Sequence, residues 1–128
     1  MEADISGPQR KVISSSVRPK RVVHGTEGIK LRGGQSLPFT VSRAWNAPSG
    51  NYEETWYLVD PKTREVVYEG PVRVAQIWGL QSLTEITDEI VEPMTFAPGT
   101  YQAVFALGGL QGGVLDVEVS ELPAEEAA

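Results

Sequence analysis

Short stretches in which apolar and polar residues alternate predict an all-β fold for this chain. Residues 37–42, 101–107 and 115–119 follow a period of two, and residues 55–59 and 65–69 are rich in β-branched and aromatic side chains. A period of two places every second side chain on the buried face of a strand. Gly, Pro, Asn and Asp residues between these stretches mark turns. The pattern therefore favours an antiparallel β-sandwich of about seven to eight strands.

Three stretches carry mixed signals. Residues 80–91 contain apolar residues at helical spacing, but they are rich in β-branched side chains and lie between strands, so we predict an extended strand. Pro38 cannot donate a backbone hydrogen bond, so we expect its strand to lie at a sheet edge or to contain a bulge. The Gly-rich residues 108–113 lack the Lys and the following helix of a phosphate-binding loop, so we predict a flexible hairpin loop.

A short motif before the last two predicted strands resembles a feature of the immunoglobulin superfamily. In Ala97-Pro98-Gly99-Thr100-Tyr101, a Gly stands two residues before a Tyr at the start of a long strand. This resembles the tyrosine corner of immunoglobulin-like sandwiches, in which the Tyr hydroxyl bonds back to the preceding backbone. Trp56 matches the position of their core Trp. The resemblance covers residues 35–120 and implies an immunoglobulin-like fold, closer to fibronectin-like, bacterial or viral versions because the Cys pair of antibody domains is absent.

The charges are distributed unevenly along the chain. Residues 1–34 carry a net charge of +4 and the remainder carries −10, which gives −6 overall. We predict that residues 1–34 form an extended basic N-terminal arm and hinge, residues 35–120 the sandwich, and residues 121–128 an acidic tail. A basic arm suits an acidic surface, first of all the body of a neighbouring copy, whereas ordinary solvation of a tail is the alternative. The predicted partner-binding residues of the arm are Arg10, Lys11, Val12, Ile13, Arg18, Lys20 and Arg21.

Few residues offer catalytic or metal-binding chemistry. The chain has a single histidine, His24, and no cysteine, which excludes a thiol nucleophile, a disulfide and a cysteine-based zinc site. Adjacent carboxylates at residues 53–54 and 88–89 point to opposite faces of a strand, so we expect solvated charges instead of converging catalytic pairs. We predict no enzyme, no cofactor and no metal site. The aromatic residues Trp45, Tyr52 and Trp78 are candidates for facing a ligand.

These features favour a non-catalytic structural or assembly protein. We expect an auxiliary (decoration or cement) subunit of a phage or virus particle that grips copies of itself or a larger shell protein through its arm. The alternative is a freestanding immunoglobulin-like binding module for a protein or a carbohydrate. Nucleic acid is not an expected partner, because the acidic body would repel it. The N-terminus lacks an apolar signal segment and no run can span a membrane, so we expect location in the virion or otherwise the cytoplasm.

Overall fold

The computed structural model describes residues 10–21 and 27–122. Within these residues the chain contains strands and turns and no helix, and hence no helix long and apolar enough to cross a membrane. The ten strands are β1 (Lys11–Pro19), β2 (Ile29–Arg32), β3 (Gln35–Ser36), β4 (Phe39–Asn46), β5 (Gly50–Val59), β6 (Val66–Glu69), β7 (Arg73–Ile77), β8 (Thr84–Ile90), β9 (Gly99–Leu107) and β10 (Leu110–Glu121). The predicted all-β class is confirmed.

The strands form two sheets. One sheet has three strands in the order β1-β4-β8, and the other has the order β3-β2-β10-β9-β5-β6, with β7 also paired to β5. All pairings are antiparallel except that of β2 with β10, which is parallel. We call the two packed sheets the sandwich. The three strands before residue 37, β1, β2 and β3, account for the larger number of strands than the turn pattern predicts.

A continuous apolar core lies between the sheets, because every second residue of the long strands points inward. One residue from each of four long strands illustrates this burial: the exposed fractions of Phe39, Trp56, Tyr101 and Val117 are 1%, 0%, 8% and 1%. They belong to one cluster that joins β4 of the small sheet to β5, β9 and β10 of the large one. Burial of each large apolar side chain stabilises the fold by roughly 1.5–3 kcal/mol. The alternation read from the sequence thus selects the correct faces.

The small sheet confirms one local prediction and corrects another. Of residues 80–91, predicted as an extended strand, residues 84–90 form β8, as their β-branched content indicates, whereas residues 80–83 belong to the connection before it. In contrast, the strand that follows Pro38 is not an edge strand, because β4 pairs with β1 on one side and with β8 on the other. Pro38 precedes the first paired residue, Phe39, and its carbonyl oxygen accepts a hydrogen bond from the backbone N–H of Lys20. Its missing N–H therefore removes no hydrogen bond from the sheet.

The described part of the predicted N-terminal arm belongs to the sandwich, which corrects the boundary placed at residue 35. Strand β1 pairs with β4 along its whole length, and β2 pairs with β10. Val17, Ile29 and Leu31 are buried in the core, with exposed fractions of 3%, 0% and 0%. These apolar side chains explain the pairing, because the free energy gained by burying them offsets the conformational entropy that the segment loses on ordering. Residues 1–9, 22–26 and 123–128, with most of the predicted acidic tail, lie outside the described residues.

The Gly-rich segment forms the predicted hairpin, but its connection is a tight turn of two residues instead of a long loop. Gly108 and Gly109 have φ angles of 59° and 83° and form the two-residue turn between β9 and β10. This left-handed geometry suits Gly and matches the twist of a hairpin. The next two glycines belong to β10, beside a break in its register. A Cβ atom on Gly112 would lie 2.3 Å from Cζ3 of Trp45, and one on Gly113 would lie 2.8 Å from Cβ of Val12.

We predict that Gly112→Ala destabilises the protein by about 1–3 kcal/mol, because the added methyl group overpacks the contact with Trp45. The substitution is small, so the fold itself should persist. Chemical denaturation followed by circular dichroism measures the change in the free energy of unfolding. The exposed neighbour provides the control, since Gln111→Ala should change stability by no more than about 0.5 kcal/mol. Equal stability of the two variants would contradict the close packing at Gly112.

Candidate binding site at one end of the sandwich

Three connections meet at one end of the sandwich. These are the β4–β5 connection (47–49), the β7–β8 connection (78–83) and the β9–β10 turn (108–109). Gly50 at the start of β5 pairs with Ile77 at the end of β7, and Leu107 at the end of β9 pairs with Glu54 in the first half of β5. Asn46, the last residue of β4, pairs with Lys11, the first residue of β1. Recognition residues commonly lie on loops held by a rigid framework. This end is therefore the natural place to look for a binding site.

The β7–β8 connection, which we call the Trp78 loop (78–83), presents three large apolar side chains to solvent. The exposed fractions of Trp78, Leu80 and Leu83 are 65%, 50% and 47%. Single exposed hydrophobic residues are common on protein surfaces, but here three lie within six consecutive residues of one connection. A tryptophan that is two-thirds exposed leaves most of its ring for a partner.

Hydrogen bonds fix the Trp78 loop at its base and in its middle. The backbone N–H of Trp78 donates to Oγ1 of Thr84 at 3.1 Å, and the side-chain amide of Asn46 donates to the carbonyl oxygen of Leu80 at 2.8 Å. Gly79 has a φ angle of 125°, a backbone conformation that residues with a Cβ atom rarely adopt. The apolar side chains are thus carried by a fixed backbone, which lowers the entropy lost on binding.

The three predicted ligand-facing aromatic residues differ in their exposure to solvent. Trp78 is exposed as predicted, whereas Trp45 is completely buried in the core, with an exposed fraction of 0%. Its inward direction follows from its parity with Phe39 and Val41 on β4. Tyr52 is half-buried at the same end as Trp78, and its hydroxyl donates to the carbonyl oxygen of Pro48 at 2.9 Å. The structure therefore excludes Trp45 from a surface site.

Arg10 lies at this end too and is held by the sandwich. Its guanidinium carbon lies 4.7 Å from the centre of the Tyr52 ring, and its Nη1 donates to the carbonyl oxygen of Leu107 at 3.0 Å. A cation over an aromatic face contributes about 0.5–1 kcal/mol at an exposed site. Arg10 therefore links β5 to the end of β9, and it is partly exposed near the loops.

The other predicted arm residues lie along β1 or just after it. Val12 packs on the core, whereas Ile13 stands at a break in the register of β1 and is 56% exposed. Lys11, Arg18 and Arg21 are exposed. Two of the basic residues contact acids of their own chain, Arg18 with Glu27 at 3.9 Å and Lys20 with Glu89 at 3.2 Å. Arg18 and Lys20 thus form ion pairs with acidic residues of their own chain.

A buried cluster of charges lies beneath this end, and the first half of it joins β4 to β5. The side chains of Arg43 and Glu54 have no exposed surface and form a bidentate ion pair. The Nε atom of Arg43 donates to Oε2 of Glu54 at 2.8 Å, and its Nη2 atom donates to Oε1 at 2.6 Å. The indole N–H of Trp45 donates to the same Oε2 at 2.9 Å. Two parallel charged hydrogen bonds make this the strongest type of side-chain pair. It connects the small sheet directly to the large one.

Asp88 on β8 completes the cluster. Its Oδ2 accepts hydrogen bonds from Nη1 of Arg43 and from the indole N–H of Trp56, each at 2.9 Å. Its Oδ1 accepts a hydrogen bond from Nη2 of Arg73, a β7 residue whose Nη1 lies 3.9 Å from Oε1 of Glu54. The Nη1 atom of Arg73 is buried without a hydrogen-bond partner. The charges of two arginines thus neutralise those of two carboxylates. Arg73 links β7 of the large sheet to β8 of the small sheet.

The cluster corrects the prediction that the carboxylates at residues 53–54 and 88–89 are solvated. Glu53 and Glu89 are exposed, but Glu54 and Asp88 are buried with exposed fractions of 0% and 5%. The expected opposite directions of adjacent residues are therefore observed, and one member of each pair points into the core. All four carboxylate oxygens accept hydrogen bonds from arginine or indole donors, and the acids thereby link β4, β5, β7 and β8.

Tyr68 on β6 lies beside this cluster. Its ring centre is 5.4 Å from that of Trp56. Burial raises the pKa of the Tyr68 hydroxyl above its ordinary value of 10.0, and the negative charges of Glu92 and Asp88 raise this pKa further. The neutral hydroxyl is therefore favoured by the folded protein.

An open groove of about 320 Å³ runs over the outer face of the small sheet. Its floor includes Ser42 and Ala44 of β4, and its walls carry Ser14, Arg18 and Glu85. Ser42 Oγ and Thr87 Oγ1 are hydrogen-bonded to one another at 3.0 Å. The lining is hydroxyl-rich and has no aromatic side chain for stacking a ligand.

No metal-binding set occurs in the described part of the chain, where no three His, Cys, Asp or Glu residues are grouped suitably. His24, the single histidine, lies outside the described residues.

Comparison with known proteins gives a likeness of fold. No family model and no curated protein matches the sequence. An alkylpurine DNA glycosylase, AlkC of Pseudomonas fluorescens, solved with DNA containing an abasic site analogue, is similar with a TM-score of 0.56 and 14% identity, over 89% of this chain and 31% of that one. A β-glucosidase of Listeria innocua gives a TM-score of 0.47 and 16% identity, over 87% of this chain and 16% of that one. This chain therefore spans less than a third of each of these proteins.

We predict that Glu54→Gln destabilises the protein by about 3–5 kcal/mol, because it leaves Arg43 buried without its main counter-charge. Chemical denaturation measures the loss. The adjacent Glu53→Gln removes an exposed charge from the same strand and should change the free energy of unfolding by no more than about 0.5 kcal/mol. Similar losses in the two variants would contradict the structural role of the cluster.

The raised pKa of Tyr68 predicts a loss of stability at alkaline pH. Below pH 10 the hydroxyl is neutral in both states, and above it the unfolded chain releases the proton first, so the free energy of unfolding falls as pH rises through the folded-state pKa. Tyr68→Phe should show a smaller fall than the wild-type protein between about pH 9 and 11, roughly one pKa unit either side of the ordinary value. Parallel alkaline stability curves would contradict the burial of this hydroxyl.

Proposed function

We propose that this chain is a non-catalytic, immunoglobulin-like binding module that docks a protein partner through the Trp78 loop (78–83). The observation that carries the proposal is the exposure of Trp78, Leu80 and Leu83 on a loop fixed by hydrogen bonds. Tryptophan is enriched among the few residues that dominate binding energies, and a fixed backbone adds to its contribution.

The immunoglobulin-like assignment draws support from the corner before β9. The Tyr101 hydroxyl donates to the carbonyl oxygen of Ala97 at 2.7 Å, four residues upstream. This is the bond expected of a tyrosine corner. Trp56, the expected core tryptophan, is buried at the centre of β5. On such folds, loops at one end of the sandwich often carry recognition, and the Trp78 loop lies at one end.

A protein is favoured over a carbohydrate as the partner because of the composition of the loop. Sugar sites combine aromatic stacking with several polar groups that fix the ligand's orientation. The loop instead places two leucines close to the tryptophan. Such an aliphatic and aromatic surface suits the apolar centre of a protein interface.

An assembly role, as an auxiliary subunit of a phage or virus particle, is a second candidate. It draws support from Ile13, which is 56% exposed on a strand that also carries Lys11 and Arg18. Because β1 is paired with β4, such a role would use β1 as a fixed strand of the sandwich and not as a strap extended toward a neighbour.

We predict that Trp78→Ala weakens partner binding strongly without loss of stability. Immobilised wild-type protein is used to capture binding proteins from a lysate of the source organism, and the captured protein is then purified and titrated against each variant by calorimetry. Removal of a central tryptophan should weaken binding by at least about 30-fold. The control is Val91→Ala, which truncates another exposed apolar residue, 54% exposed and beyond the end of β8.

Two results would contradict the proposal. One is a captured protein that binds wild type, Trp78→Ala and Val91→Ala with equal affinity. The other is a wild-type protein that binds glycans on an array through Trp78 and captures no protein.

A further inference from the structure

The outer face of the large sheet carries apolar side chains where solvent-exposed strands usually carry polar ones. Direct pairing places Val114 of β10 beside Val104 of β9 and Tyr57 of β5 in one row, and Val59 beside Val66 of β6 in the next. Val114 and Val66 are 45% and 49% exposed, whereas Val104 is already covered by its neighbours at 8%. We call these five residues the valine face. An antiparallel sheet with one solvated face would instead show polar residues at these positions.

Acidic residues surround the valine face. Glu69 pairs directly with Tyr57, and Asp116 lies in the same row as Val59. Glu53 and Glu118 occupy outward positions further along β5 and β10. All four carboxylates are exposed. The outward positions of β5, β6, β7, β9 and β10 contain no basic residue. Lys30 of β2, the strand on the other side of β10, donates from its Nζ to Oγ of Ser120 at 3.1 Å. The surface therefore suits a partner that has an apolar contact surrounded by positive charge.

Strand β1 of this chain offers the complementary chemistry. Ile13 is 56% exposed at the break in the register of β1 and lies between Lys11 and Arg18 along the strand. Residues 10–21 contain five basic residues and no acidic one. Arg10 is held by Leu107 and Tyr52, and Lys20 pairs with Glu89 at 3.2 Å, so the positive charge offered to a partner comes from Lys11, Arg18 and Arg21. The ion pair of Arg18 with Glu27 is long, at 3.9 Å between two exposed side chains, and so holds the guanidinium only weakly.

We infer that the valine face of one copy binds β1 of a second copy, with Ile13 on the apolar rows and the basic residues of β1 against the acidic rim. A contact of one valine face with another would place four carboxylates opposite four others, and like charges directly opposed are unfavourable. The contact therefore joins two different surfaces of the chain. It is independent of the Trp78 loop, which contributes no residue to either surface.

Complementation between two variants tests this contact. Ile13→Asp places a negative charge in the middle of β1 and leaves the valine face intact, whereas Val114→Asp does the reverse. Both positions are partly exposed, so the variants should fold, which circular dichroism checks. Val91→Asp, at an exposed apolar position outside both surfaces, is the matched control. Analytical ultracentrifugation measures association of each protein alone and of equimolar mixtures, up to about 0.5 mM.

The expected result is that the wild-type and Val91→Asp proteins associate and that raising the NaCl concentration weakens this association. Ile13→Asp and Val114→Asp alone should associate at least about tenfold more weakly. Their mixture should recover association, because each variant supplies the surface that the other lacks. A monomeric wild-type protein over the whole concentration range would overturn the inference. So would a mixture that stays monomeric, or association unchanged by both substitutions. Loss of partner binding in Trp78→Ala bears only on the Trp78 loop and leaves this test unaffected.

Discussion

The buried ion pairs of Arg43 are the interaction on which the arrangement of the two sheets depends. One guanidinium on β4 binds Glu54 of the large sheet and Asp88 of its own sheet, and no part of its side chain is exposed. A charge of this kind is costly to bury unless its partners meet it with good geometry. The two sheets can therefore pack closely only when β4, β5 and β8 are in the register that the structure shows. Sliding β5 by one residue would turn Glu54 to solvent and leave Arg43 without its main partner.

The same cluster links the core to the candidate binding site. Trp45 and Trp56 each donate an indole hydrogen bond to a cluster carboxylate, so the two largest core side chains have fixed orientations. Arg73 reaches across from β7 to Asp88 on β8, and these are the two strands that the Trp78 loop connects. Together with the hydrogen bond from Asn46 to Leu80, this arrangement fixes both ends and the middle of the loop. The surface offered to a partner is thus set by interactions in the interior.

The alternation of residue types predicts much of the fold, because burial depends on local patterns. It identifies the faces of β4, β5, β9 and β10 correctly, and the β-branched residues identify β8. The role of β1 depends instead on pairing with a strand more than twenty residues away, and its Ser-rich sequence has only two inward valines to indicate it. The close packing of Gly112 on Trp45 is also a tertiary feature that composition alone does not reveal.

The cluster could have been inferred in part from residue parity. Glu54 alternates with Trp56 and Leu58, and Asp88 with Ile86 and Ile90, so both acids share a face with apolar residues. What parity cannot show is the partner that makes such burial acceptable, since Arg43 lies on another strand of the other sheet. The burial of Trp45 could also have been inferred from parity, because Trp45 shares a face of β4 with Phe39 and Val41, whereas Trp78 lies just after the end of β7.

A double-mutant cycle between Arg43 and Glu54 tests most directly whether their interaction holds the sheets together. The free energies of unfolding of the wild-type protein, Arg43→Met, Glu54→Leu and the double variant give the coupling between the two side chains. A direct, buried pair should show a favourable coupling of at least about 1 kcal/mol, so that the double variant is more stable than the two single losses imply. Additive losses, with a coupling below about 0.5 kcal/mol, would contradict the central position of this pair.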